Sequence, residues 1–250
     1  MMSILQKIVD NTRIKLINKK AELPLEQIKI SLDNINFPKS RFKSNISNQD
    51  EAIIAEIKKA SPSAGIIAHD FDPVQKAKDY EAFGAAALSV LTEEDFFMGS
   101  TQFLKDVKAV TSLPILRKDF MIDEYQVYET KLIGADCILL IASILSDLQM
   151  KEFVNLAENL ELDYLIEVHD KEELNRVGHF KNALIGVNNR NLKTLEVDLD
   201  NSVRLRNQFN GENILIAESG IKNQEDMIYL KEKGLNVFLI GESLMRGNFT

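Results

Sequence analysis

The expected architecture is α/β: a (β/α)8 TIM barrel with an N-terminal helical extension and a shortened C-terminal end. Three observations lead there. Eight short, apolar, β-rich runs recur about every 26 residues between Ile53 and Val237. A stretch of helical periodicity separates each run from the next, the pattern of βαβ units on a parallel sheet. The runs are near-continuous rather than alternating, as strands covered on both faces are. A doubly wound open sheet would need fewer strands or more residues per unit, and the first turn has no G-x-G-x-x-G fingerprint.

Residues 3–20 place Ile4, Leu5, Ile8, Ile14, Leu16 and Ile17 near helical spacing among charges, which predicts an amphipathic helix. Residues 23–51, punctuated by Pro24 and Pro38 and scattered with Asn and Ser, read as a looser stretch extra to the barrel. Residues 1–51 are therefore an N-terminal extension of a single domain spanning 1–250. The expected strands are 53–57, 87–91, 114–116, 137–142, 164–168, 183–187, 214–217 and 237–240. The expected helices are 73–83, 101–110, 123–133, 146–160, 171–177, 203–209 and 223–233. Gly84, Gly134 and Gly234 stand where helix C-terminal caps belong. Only residues 241–250 follow the last strand, so the eighth outer helix is expected to be absent or stunted. The seam this leaves between the seventh and first outer helices should be covered by the tail or by the extension.

Composition narrows the function. The 250 residues are 45% hydrophobic and 27% charged, enough apolar material for one sizeable core. The net charge of −8 and a pI near 5.1 argue against nucleic acid as a partner, while leaving room for a local basic pocket. Cys137 is the only cysteine, so no internal disulfide forms and a reducing compartment fits. No run is long enough to span a membrane, and no signal-peptide pattern opens the chain. The expectation is a soluble, cytoplasmic, monomeric protein.

In such barrels the site is built from the C-terminal strand ends and the loops after them. Glu56 and Lys58 close the first run, two apart and hence on one face. With that face inward, the same alternation turns Lys118, Glu167, Asn188 and Glu218 inward. The mouth would hold two ammonium groups, three carboxylates and an amide, a crowding that perturbs pKa values as acid–base work requires. Ser219-Gly220 after the seventh run and Gly241-Glu242-Ser243 after the eighth match the phosphate loops of these barrels. Phe96-Phe97-Met98 and Phe120 flank the mouth and suit an aromatic moiety, or anchor their loops. His169 is two past Glu167, near the mouth or in solvent; His69 stands after the first strand and His179 past a helix end, facing solvent. No His, Cys and carboxylate cluster has metal-ligand spacing.

Seven stretches resemble indole-3-glycerol-phosphate synthase: IAEIKKASPS (54–63), TEEDFFMGS (92–100), LRKDF (116–120), LIEVH (165–169), IGVNNRNL (185–192), AESGI (217–221) and LIGESLM (239–245). The resemblance runs from the N-terminal helix to Met245. It implies conversion of 1-(2-carboxyphenylamino)-1-deoxyribulose 5-phosphate to indole-3-glycerol phosphate, with loss of CO2 and water, in tryptophan biosynthesis. The partner is this phosphorylated aromatic amino-sugar, and no cofactor or metal is needed. By the same resemblance Lys118 is the general acid at the ketone oxygen. Glu56 and Glu167 carry the remaining proton transfers, and Lys58 pairs with Glu56. Asn188 and Glu218 orient hydroxyls and lysines. Ser61, Ser219, Gly220, Gly241 and Glu242 frame the sugar and phosphate, and Leu239 also touches substrate. Arg190 meets the ring carboxylate or the phosphate, and Phe97 and Phe120 wall the ring. Closure of the loop after the first strand is expected to accompany ring closure. A second reading is another sugar-phosphate barrel enzyme such as phosphoribosylanthranilate isomerase. A third is a non-catalytic barrel that binds a phosphorylated metabolite.

Overall fold

The computed structural model describes residues 3–35, 37–191 and 194–249; Leu192, the last residue of the sixth-strand stretch, lies outside them. Eight parallel strands close into a barrel: β1 (Ala52–Ile57), β2 (Ala87–Leu91), β3 (Ile115–Lys118), β4 (Cys137–Ile141), β5 (Asp163–Val168), β6 (Leu184–Asn188), β7 (Leu215–Glu218) and β8 (Val237–Ile240). Each pairs with the next in sequence, and β8 returns to β1 through Ala52 opposite Val237. This is a (β/α)8 TIM barrel, and each strand lies where the apolar runs place it.

Period-two alternation sorts the side chains. Ile54, Leu116, Leu139, Leu165, Ile216 and Leu239 fill the barrel interior. Ala55, Leu88, Ile138, Ile166, Val187 and Phe238 face outward against the helices. The helices, in chain order, are α1 (Ile4–Glu22), α2 (Leu25–Asp33), α3 (Phe42–Ser47), α4 (Pro73–Phe83), α5 (Thr101–Lys108), α6 (Glu124–Leu132), α7 (Asp147–Asn159), α8 (Lys171–Val177), α9 (Asp200–Gln208), α10 (Gln224–Glu232) and α11 (Glu242–Met245). Six helices of the outer ring start on an Asp, Ser or Asn side chain that accepts a backbone N–H of the first turn: Asp72, Ser100, Asp123, Ser146, Asp170 and Asn223. Gly84, Gly134 and Gly234 end three of them at positive φ.

The stretch 23–51 is not loose. Pro24 is the residue before α2, a position proline tolerates, and does not break a helix there. α2 lies against α6. The buried Phe42 and Ile46 of α3 close the floor of the barrel against Ile54 and Leu184. The extension is thus packed into the barrel rather than appended to it. At the other end the outer helix after β8 is only the four residues of α11. Leu244 and Met245 are buried, and Phe249 meets Phe83 edge-on at 6.2 Å. The tail, not the N-terminal extension, therefore reaches the seam beside α4.

Candidate active site

A cavity of about 650 Å3 opens at the C-terminal ends of the strands. The residues given site roles by the resemblance line it: Glu56, Lys58, Ser61, Phe97, Lys118, Phe120, Glu167, Asn188, Arg190, Glu218, Ser219, Gly220, Leu239, Gly241 and Glu242. Phe96, Met98 and His169 do not. Ile4, Leu5 and Ile8 of α1 also line it, so the extension forms part of the wall. The helix is where the spacing placed it, but Ile14 and Ile17 are exposed and the buried face runs through Ile8, Val9, Thr12 and Leu16.

Two cation–carboxylate groups face each other across the mouth. On one side Lys118 Nζ lies 2.7 Å from Glu218 Oε2 and 3.2 Å from Glu167 Oε2. On the other, Lys58 Nζ donates to Glu56 Oε1 at 2.5 Å. Asn188 Nδ2 donates to Glu167 Oε1 at 3.0 Å, and Arg190 N donates back to Asn188 Oδ1. β6 and β7 set this register by pairing Asn188 with Glu218.

Two glycines make the cluster possible by lacking a side chain. A Cβ at Gly186 would lie 1.9 Å from Glu218 Oε1 and 2.8 Å from Leu165 Cδ2. A Cβ at Gly241 would lie 2.3 Å from Glu56 Oε1. The carboxylates occupy the space those side chains would take.

The two acids beside Lys118 differ in environment. Burial works against the charge of Glu167, but Lys118, His169 and Asn188 outweigh it and hold the carboxyl well below the usual range. Burial pushes Glu218 up to about 7, with Glu167 and Glu56 adding to the rise and Lys118 opposing it. Oε1 of Glu218 has no hydrogen-bond partner. Lys118 is largely buried, which works against its charge, yet Glu218, Glu167 and Glu56 raise its pKa and keep it an ammonium.

The rest of the mouth suits a phosphorylated aromatic ligand. Phe97 and Phe120 stand with ring centroids 5.9 Å apart. Ser219 and Gly220 both adopt positive φ, 66° and 84°, an uncommon pair for a serine and its neighbour. Ser243 Oγ donates to Ile221 O and ties the β7 and β8 loops together. The side chain of Glu242 meets Arg246 at 3.1 Å, and both residues line the cavity at α11. After β1 the chain makes a two-residue hairpin, Ala60–Ser61 against Gly65–Ile66, that places Ser61 at the rim.

Two supporting groups escaped the sequence reading, and a third, His169, is one that the sequence leaves between the mouth and solvent. Arg117 points away from the mouth and is fully buried; its guanidinium meets Glu129 at 2.7 Å, Asp119 at 3.1 Å, and Thr92, Thr130 and the Gln126 carbonyl. Glu93 is buried and accepts the backbone N–H groups of Asp95, Phe96 and Phe97, shaping the aromatic loop. His169 is not solvated but sits between Glu167 and Glu173. Alternation already put Arg117 opposite Lys118; nothing in the sequence named its partners. His69 and His179 are exposed. Among the described residues, no group of three or more His, Cys, Asp or Glu is placed to hold a metal ion.

The family model for indole-3-glycerol phosphate synthase matches residues 5–249. An indole-3-glycerol phosphate synthase of Ruminiclostridium cellulolyticum is 46% identical over 248 residues, covering 99% of this chain and 95% of its own. One from Polaromonas naphthalenivorans is 50% identical over 207 residues, 83% of this chain and 79% of its own. Among solved structures, the tryptophan synthase alpha subunit of Legionella pneumophila superposes with a TM-score of 0.61 at 13% identity, covering 83% of this chain and 88% of that one. That likeness speaks to the barrel alone.

Proposed function

We propose roles for the cavity residues from one premise: the chain belongs to the indole-3-glycerol phosphate synthase family, whose decarboxylating ring closure and dehydration is its activity. The observation that carries the proposal is the largely buried Lys118 ammonium, held by Glu167 and Glu218 in the mouth.

The substrate is 1-(2-carboxyphenylamino)-1-deoxyribulose 5-phosphate. Its phosphate sits on the backbone of Ser219-Gly220 and Gly241-Glu242, where free N–H groups approach closely. Its ring lies against Phe97, Phe120 and Leu239, and Arg190 meets the ring carboxylate. Ser61, Asn188 and Glu218 orient the sugar hydroxyls. These contacts bend the chain so that the carboxyl-bearing ring carbon faces the ketone. Lys118 donates a proton to the ketone oxygen as the carbon–carbon bond forms, meeting alkoxide charge where it develops. CO2 then leaves and its bonding pair restores the aromatic ring. In the second half the new hydroxyl departs as water, protonated from the Lys58–Glu56 pair. Glu167, held ionised, takes the proton from the adjacent carbon.

A monomeric working unit is part of this proposal. Among the described residues no helix is long and apolar enough to cross a membrane. A cytoplasmic setting, supported by the lone buried Cys137, belongs to the proposal as well.

The test is turnover of this substrate followed by indole fluorescence, for the native chain and Lys118→Ala. A general acid lost from the mouth lowers kcat by about 10²–10⁴-fold. A change confined to KM would mean that Lys118 only binds, and the assignment would fail.

A further inference from the structure

His169 directly follows β5, two residues past Glu167, so the alternation that aims Glu167 into the mouth carries His169 the same way. Its ring is wedged between two carboxylates. Nδ1 hydrogen-bonds Glu173 Oε2 at 3.2 Å, and Nε2 lies 3.4 Å from Glu167 Oε1, in charge contact but without hydrogen-bond geometry. A neutral imidazole has one N–H and one lone pair, so it would leave a lone pair facing one of the two carboxylates. The doubly protonated ring sets positive charge against both.

The frame around the ring is rigid. The His169 backbone N–H also donates to Glu173 Oε2, at 2.8 Å. Asp170 caps α8 through Glu173 N, and Asn201 Nδ2 donates to the His169 carbonyl. Among the described residues, the charged side chains in contact with the ring are Glu167 and Glu173; Lys118 stands beyond Glu167 on its other oxygen. Asn188 is the uncharged neighbour, sharing Glu167 Oε1.

We propose that His169, as an imidazolium clamped between Glu167 and Glu173, is a positioning residue that orients Glu167 and keeps it ionised. The inference rests on the reading of Glu167 as the proton acceptor. Burial alone would lower the histidine's pKa, but the two carboxylates overcome it and carry the group up to about 10. With this cation in place Glu167 stays a carboxylate well below neutrality. Without it Glu167 keeps only Lys118 and Asn188, and its carboxyl titrates at higher pH. For each unit of that rise, the ionised fraction on the acid limb drops roughly tenfold.

Two measurements test this. The chain has only three histidines, so imidazole nitrogen NMR is sparse, and His169→Gln identifies the signal that disappears. The expected result is a His169 ring carrying both N–H groups at pH 8. A neutral His169 ring at pH 8 overturns the proposal, whatever Glu167 does. The second measurement is the pH profile of kcat. In His169→Gln the acid limb moves upward, with KM within about twofold of native, because Gln keeps a donor but not the charge. Glu173→Gln moves the limb the same way by a smaller step. A fall in kcat with the limb unmoved assigns His169 a purely structural role and refutes the proposal. If Glu167→Gln keeps native turnover while the ring is doubly protonated, the catalytic reading of Glu167 has failed and the clamp has not.

Discussion

Replacing Gly186 by alanine adds one methyl group, and its consequence follows from a single clash. The new Cβ would lie 1.9 Å from Glu218 Oε1 and 3.0 Å from Glu218 Cδ, where real contacts begin at 3.0 Å or more. Neither strand can yield, because β6 is paired on both sides, to β5 and to β7. The carboxylate must therefore retreat by more than an ångström. Its other oxygen holds Lys118 at 2.7 Å, so the ammonium loses one of its two counter-ions and swings toward Glu167. A displacement of about 1 Å at the reacting groups costs on the order of a hundredfold in rate. The overpacking itself costs about 1–3 kcal/mol, so the barrel stays folded with a lowered Tm. The phosphate loops are untouched and KM should change little. The assay is indole fluorescence under saturating substrate, with no tryptophan in the chain to interfere. Glu218→Gln and the double variant complete the comparison: if Gly186 matters only as room for Glu218, the second substitution adds little to the first. A Gly186→Ala enzyme within twofold of native kcat, or losses that simply multiply, would refute this reasoning.

Arg117→Met leaves the buried Asp119 without its cation and Glu129 with Lys19 alone, and breaking such a network typically costs about 3–5 kcal/mol, readable as a large drop in Tm. The effect carries a pH signature. Burial opposes the charge of Glu129, but Arg117 and Lys19 hold its pKa below the ordinary 4.5. Stability from that pairing is therefore present above pH 4.5 and lost as pH falls below it, so the Tm gap between native and variant should narrow in acid; a gap constant from pH 7 to pH 3 would contradict the pairing. Glu93→Gln removes the charged acceptor of three backbone N–H groups at the Phe97 loop. In the roles proposed above that loop binds the ring rather than moving protons, so KM should rise by about tenfold, worth ~1.4 kcal/mol of binding, with kcat nearly intact; a loss confined to kcat would count against it.

The mouth was legible in the sequence because it obeys a local rule. Glu56, Lys58, Lys118, Glu167, Asn188 and Glu218 all sit on the inward face at strand ends, and a period of two suffices to find them. What escaped the reading depends on contacts between distant residues. Among the partners of α1 are Asp95, Glu94 and Glu129, reached from Asn11, Lys15 and Lys19 across 84, 79 and 110 residues. No pattern near Ile4 or Ile8 says that this face completes the cavity wall. The helices α2 and α3 went unseen for a related reason. Short helices owe their stability to packing against the rest of the fold, and the floor that receives Phe42 and Ile46 exists only once the barrel has closed.

The division between the two acids beside Lys118 shows where spacing stops carrying information. Glu167 and Glu218 read alike: each ends an apolar run and each faces inward. In the fold, Glu167 is surrounded by Lys118, Asn188 and His169, drawn from three different strand ends. Glu218 has Lys118 on one oxygen and nothing on the other, which projects over Gly186. The number of donors that reach each carboxyl, not its position along a strand, sends one below the usual range and the other to about 7. A reaction that must give a proton to an oxygen and later take one from carbon needs groups separated in this way. One inward lysine with two unlike carboxylates achieves that separation, and the glycine of β6 is as much a part of it as the acids are.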